Sequence, residues 1–318
     1  MLKEAVHTLD IIISGGGGVL GSHIAERLYS MGHKVAIFGT SFIKGLDDGI
    51  MKYVADVTDR PSLSKLPRAC DVVIHAAAVS RVGICESNPQ LCLTTNIIGT
   101  LNVAEWCLSL QKPPHLVFLS SREVYGNPLW MPVTEDHPFL PISVYGLSKA
   151  SAEMLIKIYR DLRFTVLRLT NIYGSVRDYV DRAIPSFIVR ALRGEPLMIY
   201  GGDQIIDFCH ISDFINVITL LLDKVESDPT PITCEAFNVC SGEGNRLVDV
   251  AKLILELAGS TSTIQITDPR PYETKKFIGD YTKLKATVGF MPHVKLRTGL
   301  EEYIKLIRNS IVDGVGLG

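Results

Sequence analysis

The chain has little that would tie it to a membrane, a nucleic acid or an oxidising compartment. Its 318 residues include 32 Lys and Arg against 34 Asp and Glu, a net charge of −2, and neither sign gathers in a run. That balance argues against a surface built for a phosphate backbone or an anionic bilayer. No apolar stretch approaches the ~20 residues of a membrane-spanning helix; the longest, Phe214 to Leu222, is too short. No long apolar segment follows Lys3, so no secretion signal is read and a cytoplasmic location is expected. The seven cysteines (Cys70, Cys85, Cys92, Cys107, Cys209, Cys234, Cys240) are odd in number and form no Cys-x-x-Cys pair. Neither a disulfide framework nor a metal site is suggested, and all seven are expected as buried, reduced thiols. Repeats, low-complexity tracts and Gly/Ser linkers are missing too. The length exceeds that of a usual single domain, so two lobes are expected, interleaved in sequence rather than strung together.

What is present begins with Leu9 to Ser14, a β-branched run bounded by glycines, as in a strand buried on both faces. Gly15, Gly18 and Gly21 follow at three-residue spacing. From Ser22 the pattern turns helical, with Ile24, Ala25 and Leu28 on one side and Glu26 and Arg27 on the other. Strand, glycine turn and helix in that order can hold a dinucleotide. A Cβ would block the backbone's approach to a pyrophosphate, and the helix N-terminus offers unpaired N–H groups to it.

This Gly-x-x-Gly-x-x-Gly spacing resembles the short-chain dehydrogenase/reductase superfamily, and the length resembles its extended branch, the NAD-dependent epimerase/dehydratase family. The resemblance runs from Ile11 to about Leu300. It implies a doubly wound parallel α/β sheet (Rossmann) with a smaller α/β C-terminal substrate lobe. Residues 1–170, with about 207–240, would form the dinucleotide-binding domain, Asp207 to Ile211 and Ala236 to Cys240 returning to its sheet. Residues 171–206 and 241–318 would form the sugar-nucleotide lobe.

The same resemblance places Gly15, Gly18, Val19, Leu20 and Gly21 at the pyrophosphate. It places Asp56 and Val57, closing a third strand (Lys52 to Asp56), at the adenine, and Ala76, Ala77, Ala78 and Asn96 beside the cofactor. One departure concerns the second strand, Lys34 to Phe38, which ends in Gly39-Thr40-Ser41 where NAD-preferring relatives carry an acid for the ribose hydroxyls. Thr40 and Ser41, with Lys44 nearby, suit a 2′-phosphate, so NAD is expected and NADP stays open.

Tyr145 and Lys149 lie at i and i+4 in the first turns of a helical pattern that follows Pro141-Ile142-Ser143. An ammonium and an oxidised nicotinamide beside the phenol are expected to pull its pKa from ~10 toward working pH, making Tyr145 a general base. The preceding strand, His115 to Ser120, leads into Ser120-Ser121-Arg122-Glu123-Val124-Tyr125-Gly126, similar to the family's Ser-Ser-x-x-Val-Tyr-Gly. Ser121 thereby matches the catalytic Ser/Thr that holds the sugar hydroxyl. Glu123 is shared with dehydratases and uronate decarboxylases of the family. Arg122 replaces the dehydratase acid and cannot protonate a leaving group; a role at a substrate carboxylate and a structural role both stay open.

Further along, the resemblance implies substrate contacts from Ser80, Asn171, Tyr200 and Arg270, with Ile184 to Ile188 and Pro196 to Gly201 around the nucleoside base. The usual phosphate-binding Arg is replaced by Ile206, for which Arg177 or Arg182 could substitute, and UDP, dTDP and GDP sugars stay open. These features together imply an NAD(P)-dependent sugar-nucleotide 4-epimerase, expected as a homodimer through helices around Leu91 to Leu110 and Ser143 to Tyr159. The alternatives are a decarboxylase, 4,6-dehydratase or 4-ketoreductase of the same family, and a non-catalytic cofactor sensor.

Overall fold

A computed structural model describes residues 8–312; the stretch read for a secretion signal includes residues 1–7, outside them. Three consecutive isoleucines form the buried centre of β1 (Asp10–Ser14). The chain continues through α1 (Val19–Ser30), β2 (Lys34–Gly39), β3 (Met51–Val54), β4 (Val72–His75), α2 (Val82–Ser87), α3 (Pro89–Leu93), α4 (Gly99–Ser109) and β5 (His115–Ser121). There follow α5 (Val144–Ile158), β6 (Phe164–Leu169), β7 (Asn171–Tyr173), α6 (Ala183–Arg193), β8 (Leu197–Tyr200), β9 (Ile205–His210) and α7 (Ile211–Ser227). The last elements are β10 (Glu235–Val239), β11 (Gly244–Arg246), α8 (Leu247–Ala258), β12 (Ile264–Thr267), α9 (Thr282–Val288) and α10 (Leu296–Val312).

Seven strands pair in the order β3-β2-β1-β4-β5-β6-β10, every neighbour parallel. Alternate residues of these strands feed two cores. Ile11 and Ile13 pack with Ile24 and Leu28 of α1 and Phe214 of α7, whereas Ile12 and Phe118 pack with Val103 of α4 and Ile156 of α5. The sheet is therefore doubly wound. Its strand order reverses between β1 and β4, so a crevice opens beyond their carboxyl ends. The glycine turn after β1 and the alanines after β4 both lie there.

Two expectations are overturned. Ala236–Val239 does return to this sheet, as part of β10, but Asp207–Ile211 does not: β9 pairs with β7 and β11 in a separate three-stranded sheet. Its side-chain alternation explains this, since Ile206 and Phe208 enter the smaller lobe's core with Tyr173, Phe187 and Tyr303, while Cys209 enters the first core. The cysteines also differ from expectation. Cys85 and Cys92 are joined in a disulfide, and Cys234 is exposed; Cys70, Cys107, Cys209 and Cys240 are buried free thiols. Asn88-Pro89 breaks the helix between α2 and α3 and folds one onto the other. That brings the two Cα atoms to 5.1 Å, within bridging range. Among the described residues no helix is long and apolar enough to cross a membrane.

Candidate active site

The glycines after β1 serve different needs. Gly15 sits at φ +64, and a Cβ there would lie 2.7 Å from the Ala77 backbone. At Gly17 and Gly21 the same space is filled by backbone of Ser41 and of Gly15. These glycines let the chain pack on itself. Gly18 differs: its nearest obstruction is Gly15 O at 3.2 Å, and it N-caps α1 with no side-chain cap and no acid in the first turn. The opening amides of α1, at Val19, Leu20 and Gly21, are thus free of intrahelical partners at the positive end of a 12-residue helix. The turn fits a dinucleotide pyrophosphate. Thr40 and Ser41 are exposed just past β2, and β3 stops at Val54, leaving Asp56 and Val57 in the loop beyond it. Asp56 Oδ1 accepts from the Thr58 amide and hydroxyl at 2.8 and 2.9 Å.

Behind the turn runs a chain of neutral hydrogen bonds. Ser14 Oγ accepts from the amides of Ala76 and Ala77 (3.1 and 3.2 Å), so its own proton goes to His75 Nδ1 at 2.6 Å. The His75 ring proton then sits on Nε2, facing Thr100 Oγ1 at 3.0 Å, because the Thr100 hydroxyl donates to the Asn96 carbonyl at 2.6 Å. A π turn at Thr94–Ile98 carries Asn96. The Asn96 side chain accepts from the Val79 amide and donates to the Ser148 hydroxyl at 2.9 Å, and Ser148 donates to the Tyr145 carbonyl at 2.7 Å. Burial, helped by the Lys149 ammonium, pushes His75 down to about 3, so the ring stays neutral. Ala78 follows in the same half-buried turn, while Ser80 is exposed beyond it.

Ser143 caps α5, its Oγ accepting from the Gly146 amide at 3.0 Å, and this sets Tyr145 and Lys149 on one buried face. The expected pull on the phenol is not found in this structure. Burial pushes Tyr145 up to about 12, against the Ser121 hydroxyl and the Arg182 and Arg122 charges, with Glu123 adding to the rise. Burial also drives Lys149 down to about 7, opposed by Glu153. The Lys149 ammonium donates to the Leu119 carbonyl at 2.7 Å and lies 4.7 Å from the Phe118 ring centre instead of against the phenol. One turn on, the fully buried Glu153 accepts from Ser120 Oγ at 2.5 Å and from Arg168 Nη2 at 2.8 Å, while Arg168 Nη1 donates to the Tyr125 hydroxyl.

Ser121, at the end of β5, caps the turn Arg122–Tyr125, its Oγ accepting from the Glu123 amide at 3.2 Å. Arg122 folds back into this turn. Its Nη2 meets Glu123 Oε1 at 2.9 Å, its Nε donates to Asn171 Oδ1 at 2.9 Å, and its guanidinium lies 5.5 Å from the Phe277 ring centre. Glu123 Oε2 accepts from Thr274 Oγ1 at 3.3 Å. Arg270 stacks 3.8 Å over the Tyr200 ring and pairs with Glu273 at 3.0 Å. Burial raises Glu273, with Arg270 the largest opposing influence, and the charges of Glu123 and Arg122 reach it as well.

The candidate stand-ins for the missing phosphate Arg are both engaged: Arg177 grips Glu26 of α1, and Arg182 pairs with Asp178. Ile206 is core, and its neighbour Asp207 accepts from the amides of Ser241, Gly242 and Gly279. The structure thus groups Tyr145 with Ser121, Arg122 and Glu123, joins Asn171 to Arg122, and joins Tyr200 to Arg270; Ser80 stands apart. Sequence reasoning passed over Ser14, His75, Ser148, Glu153 and Thr274. Continuing the i, i+4 series of Tyr145 and Lys149 by one step would have reached Glu153; the others carry no comparable signal.

A family model described as the NAD dependent epimerase/dehydratase family matches residues 11–240. The UDP-glucose 4-epimerase of Thermotoga maritima, solved with UDP-glucose, is 29% identical with a TM-score of 0.87, covering 95% of this chain and 99% of that one. The UDP-glucuronic acid 4-epimerase of Bacillus cereus, solved with UDP-glucuronic acid and NAD, is 26% identical with a TM-score of 0.85, covering 94% and 99%. UDP-glucuronic acid decarboxylase 5 of Arabidopsis thaliana is 29% identical over 94% of this chain and 89% of its own length.

Proposed function

The chain belongs to the NAD dependent epimerase/dehydratase family, and from that premise we propose that it is a sugar-nucleotide 4-epimerase acting through a transient 4-keto sugar. Its cofactor is NAD. One juxtaposition carries the reading. Tyr145 lies within the influence of the Ser121 hydroxyl, on a helix joined through Ser148, Asn96, Thr100 and His75 to Ser14 just before the glycine turn.

In this reading Gly15, Gly18 and the amides of Val19 to Gly21 hold the pyrophosphate, and Asp56 and Val57 the adenine side. Thr40 and Ser41 lie by the ribose, and Ala76 to Ala78, Asn96 and Lys149 flank the nicotinamide riboside. When bound, NAD would supply the acceptor for the C4 hydride and, through its oxidised ring, the positive charge that helps a phenol held at about 12 to ionise near neutral pH. Ser121 holds the C4 hydroxyl, Tyr145 takes its proton and later gives it back, and Glu123 positions the sugar. Ser80, Asn171, Tyr200 and Arg270 contact the rest of the sugar nucleotide. With β9 assigned to the smaller lobe, the cofactor lobe becomes residues 8–170 with 211–240 and α9, whose Leu284 and Val288 pack in the first core, and the rest of residues 171–210 and 241–312 take the substrate.

A second reading, uronate decarboxylation through the same 4-keto state, is favoured by Glu123 and by the likeness to a UDP-glucuronic acid decarboxylase. Turnover of UDP-sugars in deuterated water separates the two. Epimerisation gives a product of unchanged mass with no deuterium at C5; a product lighter by CO2 or water contradicts it. We also propose a homodimer through the helices around Leu91 to Leu110 and Ser143 to Tyr159, because Leu91 of α3, Ile98 of the π turn and Leu147, Met154 and Ile158 of α5 leave 45–76% of their surface exposed. Sedimentation velocity at micromolar concentration tests this, and a monomer contradicts it.

A further inference from the structure

Arg122 is only 7% exposed, and a buried guanidinium needs acceptors for donors it cannot give up. Two of its nitrogens have them, Nε on Asn171 and Nη2 on Glu123. Nη1 is buried and has no hydrogen-bond partner among the described residues. Glu123 meets only one of the two terminal nitrogens: its Oε1 pairs with Nη2, and its Oε2 accepts from Thr274. The Phe277 ring offers the guanidinium a π face at 5.5 Å, which attracts the charge without supplying a lone pair.

This incomplete guanidinium directly follows Ser121, and its charge reaches the Tyr145 phenol. On the proposed reading, its place in the turn capped by Ser121 sets it near the sugar carbon whose hydroxyl Ser121 and Tyr145 would handle. The substituents nearest that carbon are the C3 hydroxyl and the group on C5. In a neutral hexose the latter is a hydroxymethyl, a weak single acceptor. In a hexuronate it is a carboxylate, which offers two oxygens and a charge-assisted bond to a fork-shaped donor.

Resting on the epimerase-family reading of this site, we infer that Arg122 is a specificity-determining residue that selects a sugar nucleotide whose hexose carries a C6 carboxylate. Asn171 and Glu123 hold the guanidinium by two nitrogens and leave the third for the substrate. Thr274 keeps the Glu123 carboxylate turned to its own side, which limits its repulsion of the incoming anion.

The test is equilibrium binding, by calorimetry in the presence of NAD, of UDP-glucuronate and UDP-glucose to the wild type, Arg122→Met and Arg122→Lys. The wild type is expected to bind UDP-glucuronate more tightly. Arg122→Met should shrink the glucuronate-to-glucose ratio of affinities by ~10-fold or more, about 1.4 kcal/mol, with UDP-glucose nearly unaffected. Arg122→Lys keeps the charge without the fork and should fall between; it decides the matter if the Met variant does not fold. A wild type without preference, or a ratio unchanged in a folded variant, overturns the inference and leaves the catalytic reading intact. The expected ratios without any turnover strike the catalytic reading and leave Arg122 its role. Failure of both UDP-sugars to bind overturns the inference, and the catalytic reading is then decided by turnover of dTDP- and GDP-sugars.

Discussion

At the proposed dinucleotide end, Ser14, His75, Thr100, Asn96 and Ser148 donate and accept in one unbroken neutral chain, whereas the proposed sugar end is made of ion pairs: Arg122 with Glu123, Arg270 with Glu273, Arg182 with Asp178. The neutral chain completes itself, so the first end is shaped before any ligand arrives, and what it offers a pyrophosphate is backbone. The ion pairs bear a desolvation cost that each partner only partly offsets, and an anionic ligand can share or replace the carboxylates. Shape is fixed at one end and charge is exchangeable at the other. Glu153 stands between them, tying α5 both to Ser120 at the end of β5 and to Arg168 on β6.

The largest effect is expected where charge is most deeply buried. Glu153→Leu leaves Arg168 without its partner and should lower the free energy of unfolding by about 3–5 kcal/mol in urea melts, and adding Arg168→Met should restore much of it. A single variant as stable as the wild type would break the view that this buried pair anchors α5.

A smaller effect tests the neutral end. His75 titrates near 6.5 unfolded and at about 3 folded. Below pH 6.5 the unfolded chain therefore binds the extra proton, and stability present above that pH is lost as pH falls toward 3. Between those limits His75 contributes at most about 1.4 kcal/mol per pH unit. His75→Gln should lose stability less steeply than the wild type from pH 6.5 to 4, and parallel slopes would mean that the ring is not held neutral.

The dinucleotide end was legible because its signals are local. An isoleucine run, glycines at three-residue spacing and the Ile24, Ala25, Leu28 stripe each fall within one turn, strand or helix, and strand, glycine turn and helix appear in the order read, though β1 starts at Asp10 and α1 at Val19, three residues before Ser22. The sugar end was legible only in part. Arg122 finds Asn171 49 residues on, and Glu123 finds Thr274 151 residues on, pairings made by the fold and not by any local pattern. Even short range misled where backbone geometry decided. Cys85 and Cys92 are seven residues apart, and only the break at Asn88-Pro89 makes them partners. The i, i+4 relation of Tyr145 and Lys149 was correct, yet it does not reveal that the Leu119 carbonyl takes the ammonium.

The central claim, that this chain separates a preformed cofactor seat from a proton-moving site at Tyr145, is tested most directly by Tyr145→Phe. Initial rates on the sugar nucleotide the wild type turns over should fall by ~10² or more, the scale of a lost general base, while NAD titration gives a Kd within a few-fold of wild type. Near-normal turnover in that variant, or loss of NAD binding together with activity, would contradict the account.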